Sequence, residues 1–278
     1  GMACVLKVLK PVRLSKIDRE IKVLDILRDS PNTSHLLDVV RDEESETVTL
    51  VIEYACNTEI RTLYQGLTTT NLSIYIFKVL RSLQSAHAKG IMHRDIKPGN
   101  IMIDQQHRKV SLIDWGLAEF WVPGQSYQVR VATRHYKSPE LLLNNAQYDF
   151  ALDIWGLGCT FATMLFRKSP FFRGRDNDDM LLKIVEVLGT EDLENYIKKC
   201  SLNVHPTLMA KLAGHTKKTW MSFGKEETMA FLTPDALDLL TKMLEIDPQK
   251  RITAYDALAH PYFNEVRELC LADEEVVS

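Results

Sequence analysis

Two short stretches, HRDIKPGN at 93–100 and IDWG at 113–116, set two aspartates, a lysine and an asparagine at fixed offsets. These are Asp95, Lys97, Asn100 and Asp114. A carboxylate can accept the proton of a substrate hydroxyl. An amide and a second carboxylate supply the hard oxygens that magnesium prefers, and a lysine steadies the charge of a moving phosphoryl group. A lone His-Arg-Asp in a loop would read as a cap or a salt bridge. Four chemically matched residues in register make a set suited to phosphoryl transfer.

The elements that must position this set can be read from periodicity. Residues 4–8 read as a strand with Val5 and Lys7 on one face. In the helix that follows, Ile17, Ile21 and Leu24 form an apolar stripe with Glu20 inside it, and a carboxylate on a buried face wants a cation. Residues 35–40 and 47–53 read as antiparallel strands joined by the acidic turn DEESE, a solvated turn, and EYACN then breaks the pattern like a hinge. Apolar residues recur at Leu72, Ile76, Val79, Leu83 and Ala86, with Gly90 where a helix ends. That helix delivers the chain into HRDIKPGN. Residues 101–103 and 110–113 flank a polar turn, predicting a hairpin that ends on Asp114. The stretch 148–166 is apolar nearly all round, as a central buried helix is, and Asp153 is its one charge inside the apolar run.

The order and offsets of the first set resemble the protein-kinase catalytic loop followed by a metal-binding strand end. A lysine two residues after the aspartate is the serine/threonine form of that loop. RHYKSPE at 134–140 matches the motif that closes a kinase activation segment. The resemblance implies a Lys7–Glu20 pair that readies the lysine for nucleotide phosphates, a structural Glu140–Arg251 ion pair, and an Asp153 that binds backbone amides of the catalytic loop.

VLKPVxxxKIxREIKVL, IMHRDIKPGN, LIDWGLAEF, PGQSYQVRVATRHYKSPE, YDFALDIWGLGC, FRKSPFFRGRDNDDML, VLGTEDL and AHPYF together resemble the catalytic (alpha) subunits of casein kinase 2 over nearly the whole chain. Trp115, where most kinases carry phenylalanine, is the most specific mark. The stretch from GRDN to VLGT also resembles the insert of the group containing cyclin-dependent and mitogen-activated kinases. The family implies an α+β, two-lobed protein-kinase fold: a β-rich small lobe over 1–53, here truncated, a hinge at 54–57, a mainly helical large lobe over 58–269 and an acidic tail over 270–278, expected to fray. It implies transfer from ATP, and often GTP, with Mg2+, to serine or threonine beside acidic residues. Asp95 and Lys97 would be catalytic, and Asn100 and Asp114 metal ligands. Lys7, Glu20, Val5, Ile52, Glu53, Ala55, Asn57, Met102 and Ile113 would hold the nucleotide, and Arg130, Arg134 and Lys137 the acidic residue past the acceptor.

Two departures qualify the resemblance. The family's run of lysines before the Glu20 helix is here Arg13, Leu14, Ser15 and Lys16, which predicts a looser substrate preference. The residues given begin, after Gly1 and Met2 read as a bare start, on the strand that bears Lys7, without a glycine-rich loop. That weakens the expectation of a regulatory beta subunit as partner and raises an alternative, a truncated kinase acting as a non-catalytic protein-binding scaffold. A small-molecule phosphotransferase is a third reading, and RHYKSPE and Arg251 argue against it as parts of a protein-substrate platform.

Composition is that of an ordinary globular chain: 278 residues, 45% hydrophobic, 26% charged, net charge −3. That balance predicts neither a nucleic-acid nor a membrane partner, so acidic protein substrates must be read by local patches such as Arg130, Arg134 and Lys137. Five scattered cysteines without a CxxC pair favour free thiols in a reducing compartment, and the family points to cytoplasm and nucleus. No signal peptide is read at the start. The longest uncharged apolar run, 154–166, is shorter than the roughly 20 residues that span a bilayer.

Overall fold

A computed structural model of the chain describes residues 3–10 and 13–275. Gly1, Met2 and the last three residues of the expected acidic tail lie outside the described residues. In chain order the elements are β1 (Cys4–Val8), α1 (Leu14–Ile26), β2 (Leu36–Arg41), β3 (Val48–Glu53), α2 (Ile60–Gln65), α3 (Thr69–Ala88), β4 (Ile91–Met92), β5 (Ile101–Asp104), β6 (Lys109–Leu112), β7 (Glu119–Phe120), α4 (Pro139–Leu142), α5 (Ala151–Leu165), α6 (Asn177–Leu188), α7 (Glu191–Lys199), α8 (Pro206–Leu212), α9 (Pro234–Met243), α10 (Ala254–Leu258) and α11 (Arg267–Glu275), with short 3-10 turns among them. They form two compact units. The first holds the described residues up to His93, Pro98–Phe120 and 265–275; the second holds Arg94–Lys97 and Trp121–Asn264.

The first unit is built on an antiparallel sheet of order β1-β3-β2, in which Lys7 faces Leu50 and Val5 faces Ile52. Helix α1 buries Ile17, Glu20, Val23 and Leu24 on one face, so Glu20 does lie within the apolar stripe. Helix α3 starts where the Thr68 hydroxyl accepts the Asn71 N–H at 3.1 Å. It ends where Gly90 takes φ +74°, a conformation that costs glycine nothing. Its Leu72, Ile76, Val79 and Leu83 are all fully buried, each contributing about 2 kcal/mol by removal from water.

The first unit is tied together by a set of bonds around β6. Leu112 N–H donates to Asn32 O at 2.8 Å, Ser34 N–H donates to Leu112 O at 3.0 Å, and the Thr33 and Ser82 hydroxyls bond at 2.7 Å. These join the α1–β2 connection to α3 and the β5–β6 hairpin, while Thr58 N–H donates to Ile103 O at 2.7 Å. Helix α11 runs to Glu275 and packs on α3, with Cys270 fully buried.

The second unit is mainly helical around α5, whose fifteen residues are buried but for Ala151 at its start. α9 packs on α5, and α6 packs on α4, on α8 and on the 3-10 turn Arg134–Tyr136. All five cysteines are free thiols. Among the described residues no helix is long and apolar enough to cross a membrane.

Candidate active site

The eight residues HRDIKPGN leave the first unit after His93, give Arg94–Lys97 to the second, and return at Pro98. In the second unit, Arg94 takes φ +66°, which turns its N–H onto the Asp153 carboxylate at 2.8 Å. Asp153, at the first turn of α5, is fully buried. Its charge is compensated there by donors from the loop it shapes. Gly156 completes the seat, because a Cβ there would lie 2.8 Å from Ile96 O. The Arg94 guanidinium donates to the Tyr148 hydroxyl at 3.0 Å, which donates in turn to Gln128 O at 2.7 Å.

Asp95, carried on this loop, is buried and receives donors on both oxygens. Oδ1 accepts the Thr133 N–H and the Thr133 hydroxyl, each at 2.8 Å, and Oδ2 accepts Lys97 Nζ at 2.6 Å. Lys97 Nζ also reaches Thr133 Oγ1 at 2.9 Å. The three side chains form a closed triangle in which the carboxylate and ammonium have fixed directions. Thr133 was not expected from sequence. Its only sequence signal is its place one residue before RHYKSPE, and the structure shows why it matters: it follows Ala132, held at φ +62°.

In the first unit, Lys7 Nζ bridges two carboxylates, Glu20 Oε1 at 2.8 Å and Asp114 Oδ1 at 2.7 Å. Burial alone would lower the Lys7 pKa, but the bonds from Asp114 and Glu20 and their charges outweigh it and raise it above the usual 10.5. Burial likewise pushes Asp114 up, and the Lys7 bond and charge, with His93, bring it below the usual 3.8. The raised lysine contributes stability that is complete below its usual value and is lost as pH rises through its folded value. The depressed aspartate contributes stability that is complete above its usual value and is lost as pH falls through its folded value. The melting-temperature difference between the wild type and Lys7→Met is therefore expected to stay constant from about pH 5 to about pH 9. A difference that changes through neutrality would show that another group titrates with the pair.

The surroundings hold this bridge in place. Asp114 takes φ +62°, two residues beyond the end of β6 rather than at its tip. At Gly116 a Cβ would lie 3.2 Å from Glu20 Oε2 and 3.4 Å from both Lys7 Nζ and Asp114 Oδ1, so glycine keeps the polar cradle open. Trp115 is buried against the His93 ring, with centroids 4.6 Å apart, and its indole N–H has no partner; the tryptophan serves here as volume. His93 Nε2 donates to Ile113 O at 3.0 Å, and Ile113 N–H donates to Asn100 O at 2.9 Å. Helix α1 is pinned to β7 by an Arg19–Glu119 ion pair and by Lys22 Nζ 5.4 Å over the Phe120 ring.

The expected nucleotide-site residues also fall in the first unit. Val5 and Ile52 are partners across β1 and β3; Glu53, next along, bonds His35 Nδ1 at 2.8 Å. Asn57 Oδ1 accepts the Ile103 N–H at 3.1 Å, which ties the 54–57 segment and Ala55 to β5 beside Met102. Of the basic residues, Arg130 and Arg134 are exposed and Lys137 is half-buried. Burial first, and then the Arg134 charge, lower the Lys137 pKa. The expected Glu140–Arg251 pair is present and bidentate, at 2.9 and 3.0 Å, with both side chains buried.

The donor chemistry fits a magnesium nucleotide. An amide at Asn100 and a carboxylate at Asp114 are the hard oxygens such an ion takes, and Lys7, bonded here to both Glu20 and Asp114, is the cation that would meet phosphate oxygens. Hard oxygens beside a lysine held by a buried glutamate are what a kinase-type phosphotransferase site requires. Residues 3–263 match the family model of the protein kinase domain, and the chain belongs to the protein kinase family. It is thus a kinase of α+β fold, in a family that in general uses ATP and Mg2+.

Proposed function

We propose that the chain is a serine/threonine kinase of the casein kinase 2 type that phosphorylates hydroxyls flanked by acidic residues in proteins of the cytoplasm and nucleus. The observation that carries the reading is the triangle of Asp95, Lys97 and Thr133. A lysine two residues after the aspartate is the serine/threonine form of the loop the chain resembles, and here it is bonded to both the carboxylate and the threonine. Asp95 orients the acceptor hydroxyl and takes its proton; Lys97 offsets charge beside it. Lys7, held by Glu20, grips phosphate oxygens, and Asn100 and Asp114 hold the metal. Magnesium-ATP, or GTP, supplies the phosphoryl group when bound. Arg130, Arg134 and Lys137 support the acidic preference, since three cations in one segment of an acidic chain suit a carboxylate. The interrupted lysine run at Arg13, Leu14, Ser15 and Lys16 supports a preference looser than the family's.

The test is labelled-phosphate transfer from magnesium-ATP to a serine peptide with acidic flanks and to one with basic flanks. Faster transfer to the acidic peptide, abolished by Lys7→Met, is the expected result; equal rates on the two peptides would remove the acidophilic reading. The scaffold reading has one observation in its favour, the occupation of Asp114 by Lys7. It predicts that magnesium-ATP leaves the melting temperature unchanged, whereas a bound nucleotide at a hundredfold excess over its dissociation constant stabilises by about 2.7 kcal/mol.

A further inference from the structure

A second cationic surface lies in the second unit, outside the residues assigned above. From Asn195 to Lys225 the chain carries six lysines and no Asp or Glu. The structure folds part of that run onto the end of α6. Lys218 N–H donates to Val187 O at 2.9 Å, Thr190 N–H donates to His215 O at 3.0 Å, and the Thr190 hydroxyl donates to Leu212 O at 2.6 Å. Gly189, at φ +85°, allows the close approach, for a Cβ there would lie 3.0 Å from Lys217 N. Lys217 and Lys218 are thereby fixed and exposed beside a helix C-terminus, the end that favours cations.

Lys168 joins them from the far end of α5. Its ammonium lies 5.0 Å over the Phe171 ring and 6.0 Å from that of Phe223. Phe171 and Phe223 both pack on Trp220, two residues beyond Lys218, with centroids 6.1 and 6.3 Å apart, which sets Lys168 beside that lysine; burial, and then the charges of Lys218 and Lys183, lower its pKa. Lys183, on α6, is paired with Glu186 at 3.0 Å. Lys168, Lys217 and Lys218 have no carboxylate partner among the described residues. Three cations about Trp220 and the end of α6, without a carboxylate partner among the described residues, are matched to an anion from outside.

We propose that Lys168, Lys217 and Lys218 form an anchor for an acidic stretch of a polypeptide substrate, further from the acceptor than the residue met by Arg134 and Lys137. The inference rests on the acidophilic reading above. Continuity supports it: α6, against whose end these lysines gather, packs on the 3-10 turn that carries Arg134. The partner is a polypeptide rather than a nucleic acid for two reasons. All three cations are lysines, point charges without the fork that guanidinium offers to phosphate. Of the rings beneath Lys168, Phe171 is buried and Phe223 is half-buried under the ammonium itself, so neither offers an open face for a base to stack on.

The experiment measures fluorescence anisotropy of two labelled acidic serine peptides on the full chain without turnover. One peptide ends just after its first acid past the serine, and the other continues as a run of glutamates. Lys168→Glu/Lys218→Glu is expected to weaken the long peptide by about tenfold and the short one by less than about twofold, with the difference fading in high salt. Lys168→Gln/Lys218→Gln, which keeps the side-chain stems, should give a smaller loss in the same direction with an unchanged circular dichroism spectrum. Equal binding of the long peptide by wild type and both variants overturns the anchor. A single-stranded oligonucleotide that binds more tightly than the long peptide, in a Lys168- and Lys218-dependent way, overturns the assignment to polypeptide. Should the wild type fail to phosphorylate acidic peptides, the acidophilic reading falls by that result alone, and the binding data still decide the anchor.

Discussion

Asp95→Asn is expected to slow phosphoryl transfer about 10³-fold while leaving magnesium-nucleotide binding intact. Asp95 is the buried carboxylate whose two oxygens divide their donors, Thr133 on one and Lys97 on the other. An amide of the same shape can satisfy only one side. If its oxygen keeps Thr133, its NH2 meets the Lys97 ammonium, donor against donor, and the triangle opens. The side chain also loses the basicity needed to take a hydroxyl proton, and a 10³-fold loss corresponds to about 4 kcal/mol of barrier. The residues proposed for the nucleotide, Lys7, Glu20 and Asp114, bond one another. Single-turnover transfer to an acidic serine peptide, with nucleotide affinity measured in parallel, checks both halves. A variant that keeps a tenth of the wild-type rate would remove Asp95 from the role of base.

Glu140→Gln is expected to cost about 4 kcal/mol of stability, by stranding a buried guanidinium, and to lower the melting temperature by about 10 °C. Arg251 is held on every side: Glu140 takes both terminal nitrogens, Glu245 O accepts Nε at 2.8 Å, Ala151 O accepts Nη1 at 2.7 Å, and the Trp155 ring lies 5.2 Å beneath it. The amide keeps the shape and removes the charge. Replacing both partners with apolar residues, as in Glu140→Leu/Arg251→Met, is expected to recover most of the loss, because no uncompensated charge remains. Denaturant unfolding of Glu140→Leu, Arg251→Met and the double variant forms the cycle that tests this. A double variant that loses as much as the sum of the singles would show that the two residues are not coupled and that stranding a charge does not account for the loss.

The candidate residues stood out in sequence by type at short range. Asp95, Lys97 and Asn100 lie in one short loop, Asp114 follows β6 by two residues, and Glu20 showed itself by being charged inside an apolar stripe. The Glu140–Arg251 pair, 111 residues apart, was reached only through resemblance, since no local pattern links the two positions. Thr133 escaped notice because its hydroxyl is ordinary in sequence and acquires a role only when Ala132 turns the backbone toward Asp95. Helix α11 left no periodic signal for a related reason: its acidic composition reads as solvent-loving, and Cys270 is its one fully buried apolar residue among the described ones. The unit boundary depends on hydrogen bonds of the backbone at residues 32–34 and 112, and backbone bonding between distant segments leaves no mark on side-chain pattern.

The interrupted course of the first unit bears on how the protein is made. Its residues come in three runs, ending at 93, 120 and 275, with 121–264 of the second unit between the last two. During synthesis the second unit has almost its entire sequence in hand before α11 emerges to cover α3. At ribosomal rates of about 5–20 residues per second, the α3 surface that Cys270 finally buries waits roughly 10–30 s for its cover. The half that carries Lys7 and Asp114 is thus begun first on the ribosome and completed last.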